Sequence, residues 1–135
     1  MKLTIQLKLL PSLEQAKLLL DTLEQANAAA NTIGGIAWAG QAFRQFSLHK
    51  VAYHQVRTDS GLTAQMVVRL IAKVADAYKL DQHRQRAFRP HGAIAYDERI
   101  LSFKSDSVSL WSVGGRLRIP FVCGDRQLAL LASQQ

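Results

Sequence analysis

The feature that most restricts the fold of this chain is a change of hydrophobic period, from two to 3.6 and back to two. Residues 2–9 alternate without a fault, with Leu3, Ile5, Leu7 and Leu9 on one face and Lys2, Thr4, Gln6 and Lys8 on the other. That is a half-buried strand. A strand is not stable alone, and period two returns only after Pro90, over residues 93–97, 100–103, 108–113 and 116–122. The opening strand must therefore join a sheet that is completed near the other end of the chain. Turn residues at Asp97–Glu98, Ser105–Asp106 and Gly114–Gly115 separate the later strands. The Gly-Gly pair is the firmest of these, since a type I′ hairpin turn needs positive φ at both positions. The expected class is α+β: a small antiparallel barrel or curled sheet with a helical lobe inserted after its first strand.

The inserted part reads as helices. Pro11 ends the strand, and Ser12 with Gln15 forms a capping box ahead of a long helix carrying Leu13, Leu19, Leu20, Leu23, Ala26, Ala30 and Ile33. Gly34 and Gly35 each cost about 1 kcal/mol relative to Ala in a helix, so they mark either an interruption before residues 36–43 or a close helix crossing. A second helix is expected over residues 48–57, with Leu48, Val51, Ala52 and Val56 inward and Lys50, His54 and Arg57 on a narrow outer arc. The third, residues 62–80, follows Ser60 and Gly61 with Thr63 as N-cap. Met66, Val67, Leu70, Ile71, Val74, Ala77 and Tyr78 fall on its broad apolar arc, and Gln65, Arg69, Lys73 and Asp76 on the opposite one. Residues 82–89 then carry His83, Arg84, Arg86 and Arg89 with no carboxylate among them. On the last strand Arg116 and Arg118 share one face, roughly 7 Å apart, which suits neighbouring phosphates. Asp125 can cap a closing helix with Leu128 and Leu131 inward.

Charge sharpens the reading. The chain holds 17 Lys and Arg against 10 Asp and Glu, a net +7, yet residues 1–43 hold three of each sign. The whole excess lies after Phe43, which points to a polyanion-facing part, nucleic acid before anionic membrane. No stretch resembles a transmembrane span or the apolar core of a signal peptide, so no membrane partner and a cytoplasmic location are expected. The single cysteine, Cys123, permits neither an internal disulfide nor a zinc cluster. Phosphate-binding glycine loops, metalloprotease helices and nucleophile elbows are all missing. His49 and His54 lie about 140° apart on a helix and share no face, and Asp97, Glu98, Asp106 and Asp125 each have a turn or cap role. No catalytic, cofactor or metal residues are assigned.

Three motifs in order, L-P-x-x-E-Q with its opening strand, L-x-A-Q-x-x-x-R-x-I-A-K-V-x-D-A-Y-K, and G-R-x-R-I-P-F-x-C-G, resemble the N-terminal region of TnpB. These are the OrfB-type, RNA-guided nucleases of insertion sequences related to type V CRISPR effectors. The resemblance covers nearly the whole chain. It implies an oligonucleotide-binding-like wedge domain from residues 1–10 and 88–123, a recognition lobe from residues 11–87, and the start of a further helix at 124–135. It also implies guide RNA and target duplex DNA as partners. Gln65 and Arg69 would then read a transposon-adjacent motif, with Lys50 and Lys73 on the DNA backbone. Arg57, Arg84, Arg86, Arg89, Arg116 and Arg118 complete the expected nucleic-acid contacts. The family's RuvC-like carboxylates with Mg²⁺ and its CxxC zinc module have no counterpart here, so the chain is expected to be a fragment or remnant without nuclease activity or cofactor of its own. The alternatives from the residues alone are a double-stranded-DNA-binding regulator and a helical protein-interaction module.

Overall fold

The computed structural model describes residues 6–104 and 106–122. In chain order the elements are β1 (Lys8–Leu9), α1 (Leu13–Gly40), α2 (Gln45–Ser60), α3 (Ala64–Leu80), β2 (Leu101–Phe103), β3 (Ser107–Ser112) and β4 (Gly115–Val122). The class is α+β, with the three helices lying between β1 and the remaining strands in the chain. All strand pairs are antiparallel, in the order β1-β4-β3-β2. The sheet is open rather than a barrel, with β1 and β2 as its edges among the described residues. Closure requires strands long enough to tilt and stagger past one another, and β1 and β2 span two and three residues. Two compact units result, one of Met1–Leu19 with Leu101–Gln135 and one of Leu20–Ile100. Residues 1–5, Ser105, Cys123 and the closing helix expected from Asp125 lie outside the described residues.

In the sheet unit, Lys8 opposes Val122 and Leu9 opposes Phe121, while Ser107 opposes Pro120 and Ser109 opposes Arg118. Opposed residues share a face, so Leu9, Val108, Leu110, Ile119 and Phe121 form the inner side. Val108, Leu110, Ile119 and Phe121 are buried there, with Phe103 edge-on to Phe121 at 6.1 Å. Pro120 sits where β4 changes partner. It has no N–H to give, and its carbonyl accepts from Leu10 N at 2.8 Å while the next residue, Phe121, donates to Asp106 O. The capping box at the start of α1 forms in both directions, Ser12 N to Gln15 Oε1 at 2.9 Å and Gln15 N to Ser12 Oγ at 3.2 Å.

The β3–β4 hairpin corrects one expectation. Its two-residue loop is Val113–Gly114, one position earlier than the Gly-Gly pair, because Ser112 and Gly115 already pair. Of the two glycines only Gly115 has positive φ, 111°, so the turn is not type I′. Gly114 packs closely instead, since a Cβ there would lie 2.5 Å from Leu18 Cδ2 and that side chain would have to shift.

In the helical unit, α1 runs unbroken through Gly34 and Gly35. The interruption expected there does not occur, and what crosses at Gly34 is extended chain rather than a helix. A Cβ on Gly34 would stand 3.2 Å from Arg86 O. The core is Ala26, Ala30, Ile33, Leu48, Ala52, Val56, Met66, Leu70, Ile71, Val74 and Tyr78, all with essentially no exposed surface. α2 starts three residues earlier than its periodicity indicated and buries Leu48, Ala52 and Val56. Val51, expected inward, is 55% exposed. Gly61 ends α2 in the left-handed region, φ 68°, where glycine has no steric penalty. Thr63 occupies the N-cap position of α3 with extended backbone but makes no side-chain cap bond.

Residues 93–97, expected as a strand, form no ladder. Their period-two exposure is real, Ala93 and Ala95 out and Ile94 and Tyr96 half-buried, but Ala93 O accepts from Lys73 Nζ and the Asp97 carboxylate from the Gln65 amide, both on α3, while the α1 amides of Asn27 and Asn31 bond the preceding residues Phe88, Pro90 and Gly92. An extended chain needs its backbone groups satisfied, and amides on a helix can satisfy them as a neighbouring strand would.

Candidate nucleic-acid interface

The predicted contact residues fall into four groups. The first, Gln65, Arg69 and Lys73 on α3, faces the chain's own segment of residues 86–99. Lys73 Nζ donates to Asn27 Oδ1 at 2.8 Å and to Ala93 O at 2.7 Å, and lies 5.1 Å from the Phe88 ring centroid. Burial lowers the Lys73 pKa from its usual value. Asn27, fully buried, donates to Leu23 O, Pro90 O and Gly92 O, and Asn31 brackets Phe88 with one bond to its carbonyl and one from its N–H. Tyr78 Oη donates to Gly34 O at 3.1 Å and accepts from Arg86 N at 3.0 Å. The segment is thus clasped to α1 and α3 along its length. Gln65 gives its amide nitrogen to the Asp97 carboxylate and receives Arg99 Nη1 at 3.1 Å on its amide oxygen. Arg69 Nε is buried without a hydrogen-bond partner among the described residues.

The second group follows α3. Asp81, just before the arginines, gathers two of them: Arg84 Nε at 3.1 Å and Arg86 Nη1 at 3.8 Å from the same carboxylate oxygen. The His83 backbone N–H is the largest cause holding the Asp81 carboxyl below its ordinary range; burial opposes it, and the Arg84 guanidinium adds to the lowering. Arg84 keeps 79% of its side chain exposed and Arg86 28%. Arg89 is exposed, its carbonyl accepting from Gly92 N. The carboxylate-free run therefore carries less local charge than its sequence indicates.

The third group lies on the outer face of the sheet. Arg116 Nε donates to Ser109 Oγ at 2.7 Å, and Arg118 Nε to Ser107 Oγ at 3.0 Å. Ser102 Oγ lies 3.4 Å from Arg116 Nη2. The serines carry no charge, so they fix the two guanidinium groups side by side without neutralising them, and leave other N–H groups for a ligand. Register puts Lys8 on the same face and Trp111 opposite Arg116. Sequence reasoning missed Lys8 and the three serines, although all obey the same alternation as Arg116 and Arg118.

Lys50 and Arg57 are exposed on α2, Arg57 donating through Nε to Leu62 O at 3.0 Å. Beside them stand rings that the sequence reading passed over. Phe46 is 73% exposed with Lys50 Nζ 4.5 Å from its centroid, and His49 stacks on Tyr53 at 4.6 Å and 8°. Among the described residues no three of His, Cys, Asp and Glu gather into a metal-binding group, and no helix is long and apolar enough to cross a membrane. No protein-family model, curated protein or solved structure matches the chain in sequence or fold comparisons.

Proposed function

We propose that this chain binds nucleic acid, as the N-terminal guide-RNA- and DNA-motif-binding region of a TnpB-like RNA-guided endonuclease. The observation that carries the binding is the pair Arg116 and Arg118, held side by side by serine hydroxyls on the outer face of the sheet. Guanidinium forks fixed by neutral partners match phosphate geometry and lose little freedom on binding. The concentration of positive charge after Phe43 supports the same partner, and an oligonucleotide-binding-like wedge is the form of the sheet unit that this reading requires. Gln65 and Arg69 are the proposed base-reading pair. For that role Gln65 must exchange its bonds to Asp97 and Arg99 for a base edge, so these two residues set its starting orientation. The chain itself would bind without cleaving, and Mg²⁺ and Zn²⁺ would belong to further domains.

The test is fluorescence anisotropy of the purified chain with a structured RNA, a duplex DNA and a neutral polymer control across a salt series. The proposal expects binding that weakens steeply with salt and is reduced by Arg116→Gln with Arg118→Gln. Absence of binding to every nucleic acid at low salt rejects it.

A further inference from the structure

Helix α2 carries six side chains whose placement the core does not require. Phe46, His49, Lys50, Tyr53, His54 and Arg57 recur at i, i+3, i+4, i+7, i+8 and i+11, and at about 100° per residue they share one arc away from the buried Leu48, Ala52 and Val56. The helix has one carboxylate, Asp59, and it projects to the opposite side. One exposed ring on a surface is ordinary. Rings interleaved with cations along one carboxylate-free stripe are a specific combination.

The geometry adds three observations. The Lys50 ammonium lies over the Phe46 ring, so charge and π-face are presented together. His49 and Tyr53 already form a parallel two-ring stack, with His54 edge-on to Tyr53 at 5.4 Å. An open pocket lined by Gln45, Phe46 and His49 gives a flat ligand a seat beside the first ring. We propose that this face of α2 is a stacking platform for single-stranded nucleic acid, with bases on Phe46 and on the His49–Tyr53 stack and phosphates on Lys50 and Arg57. It rests on the nucleic-acid reading and specifies the form of the ligand. Phe46 and Tyr53 lie two turns apart, roughly 10 Å along the axis, too far to sandwich one base, so each takes its own. A duplex keeps its base faces stacked inside and offers nothing to these rings. Unpaired bases of any sequence offer a π-face.

The experiment measures binding of the full 135-residue chain to labelled oligo-U, oligo-dT and a duplex of equal length, for wild type and for the Phe46→Ala, Tyr53→Ala, Tyr53→Phe and Lys50→Gln variants. Removing either ring should weaken single-strand binding by roughly 5- to 150-fold without changing the salt slope. Duplex affinity should stay as in the wild type. Tyr53→Phe keeps the ring and should bind as the wild type does, and Lys50→Gln should lower the single-strand salt slope by about 0.7. The ratio of oligo-U to oligo-dT affinity identifies RNA or DNA as the strand preferred. Helical circular dichroism equal to wild type establishes that the ring variants fold. Single-strand binding undiminished in the Phe46→Ala, Tyr53→Ala double variant overturns the platform and leaves the broader reading standing, as does equal loss of single-strand and duplex binding. A dimer abolished by Phe46→Ala, with no single-strand binding, reassigns the face to self-association. Failure of the wild type to bind any of the three ligands overturns both.

Discussion

The ammonium of Lys73 and the phenol of Tyr96 respond to burial with opposite consequences for stability. Burial disfavours the charged form of each, lowering the Lys73 pKa and raising that of Tyr96 to about 12. For Tyr96 the folded state holds its proton more tightly than the unfolded one, whose phenol titrates near 10.0. Its contribution is complete below that pH and is lost as pH climbs towards about 12. Lys73 holds its proton less tightly when folded, so its contribution grows as pH rises from the lowered folded value to the usual 10.5. Urea midpoints measured from neutral to strongly alkaline pH should fall in the upper part of this range, and Tyr96→Phe should flatten that fall. An unchanged alkaline slope in Tyr96→Phe would remove the phenol from the account. Separately, Lys73→Met keeps the apolar stem but leaves buried Asn27 Oδ1 without the donor it has now, at a cost of about 1–3 kcal/mol. Urea unfolding at neutral pH measures it.

At the level of elements, the sequence disclosed periods and concealed partners. The capping box of Ser12 and Gln15, the α3 apolar face and the return of β1 to the sheet follow from local pattern, because cap chemistry and amphipathicity are local properties. Residues 93–97 show why period two does not mean a ladder: Gln65 and Lys73, which bond Asp97 and Ala93, are distant in sequence, and nothing local announces that helix side chains will take the place of a strand. The same clasp occupies the polar arc of α3, which from sequence is indistinguishable from a solvated face. On α2 the sequence did hold the signal, since Phe46, His49 and Tyr53 recur on one face. Gly114 and Gly115 were legible as a turn but not in their separate roles, one steric and one conformational. Gly114→Ala should displace the end of the Leu18 side chain and cost about 1 kcal/mol, relieved in part by Leu18→Ala in the same chain. Gly115→Ala, strained at φ 111°, should cost about 1–3 kcal/mol with no relief from Leu18→Ala. Thermal unfolding of the four variants distinguishes space from strain.

Over the whole molecule, the excess of positive charge after Phe43 is divided among sites of unequal strength. Arg84 and Arg86 share the Asp81 carboxylate, which screens them and must be desolvated with them if they meet phosphate. Arg116 and Arg118 are held by serines, so their full charge is available to a polyanion. Counterion release counts phosphates neutralised, and each contact contributes about 0.7 to 0.9 to the slope of log K against log salt, the lower figure for single strands. Replacing Arg116 and Arg118 together by Gln should therefore lower the slope by about 1.4 to 1.8. Replacing Arg84 and Arg86 should lower it by less, and Asp81→Asn should raise affinity by releasing both guanidinium groups from their carboxylate. Lys104→Gln, which removes one exposed positive charge outside both arginine pairs, serves as a control. Anisotropy titrations over a salt series with one duplex and one RNA give all four slopes. Equal loss from the two arginine pairs, with no gain in Asp81→Asn, would mean that local ion pairing does not rank these sites and that only net charge governs binding.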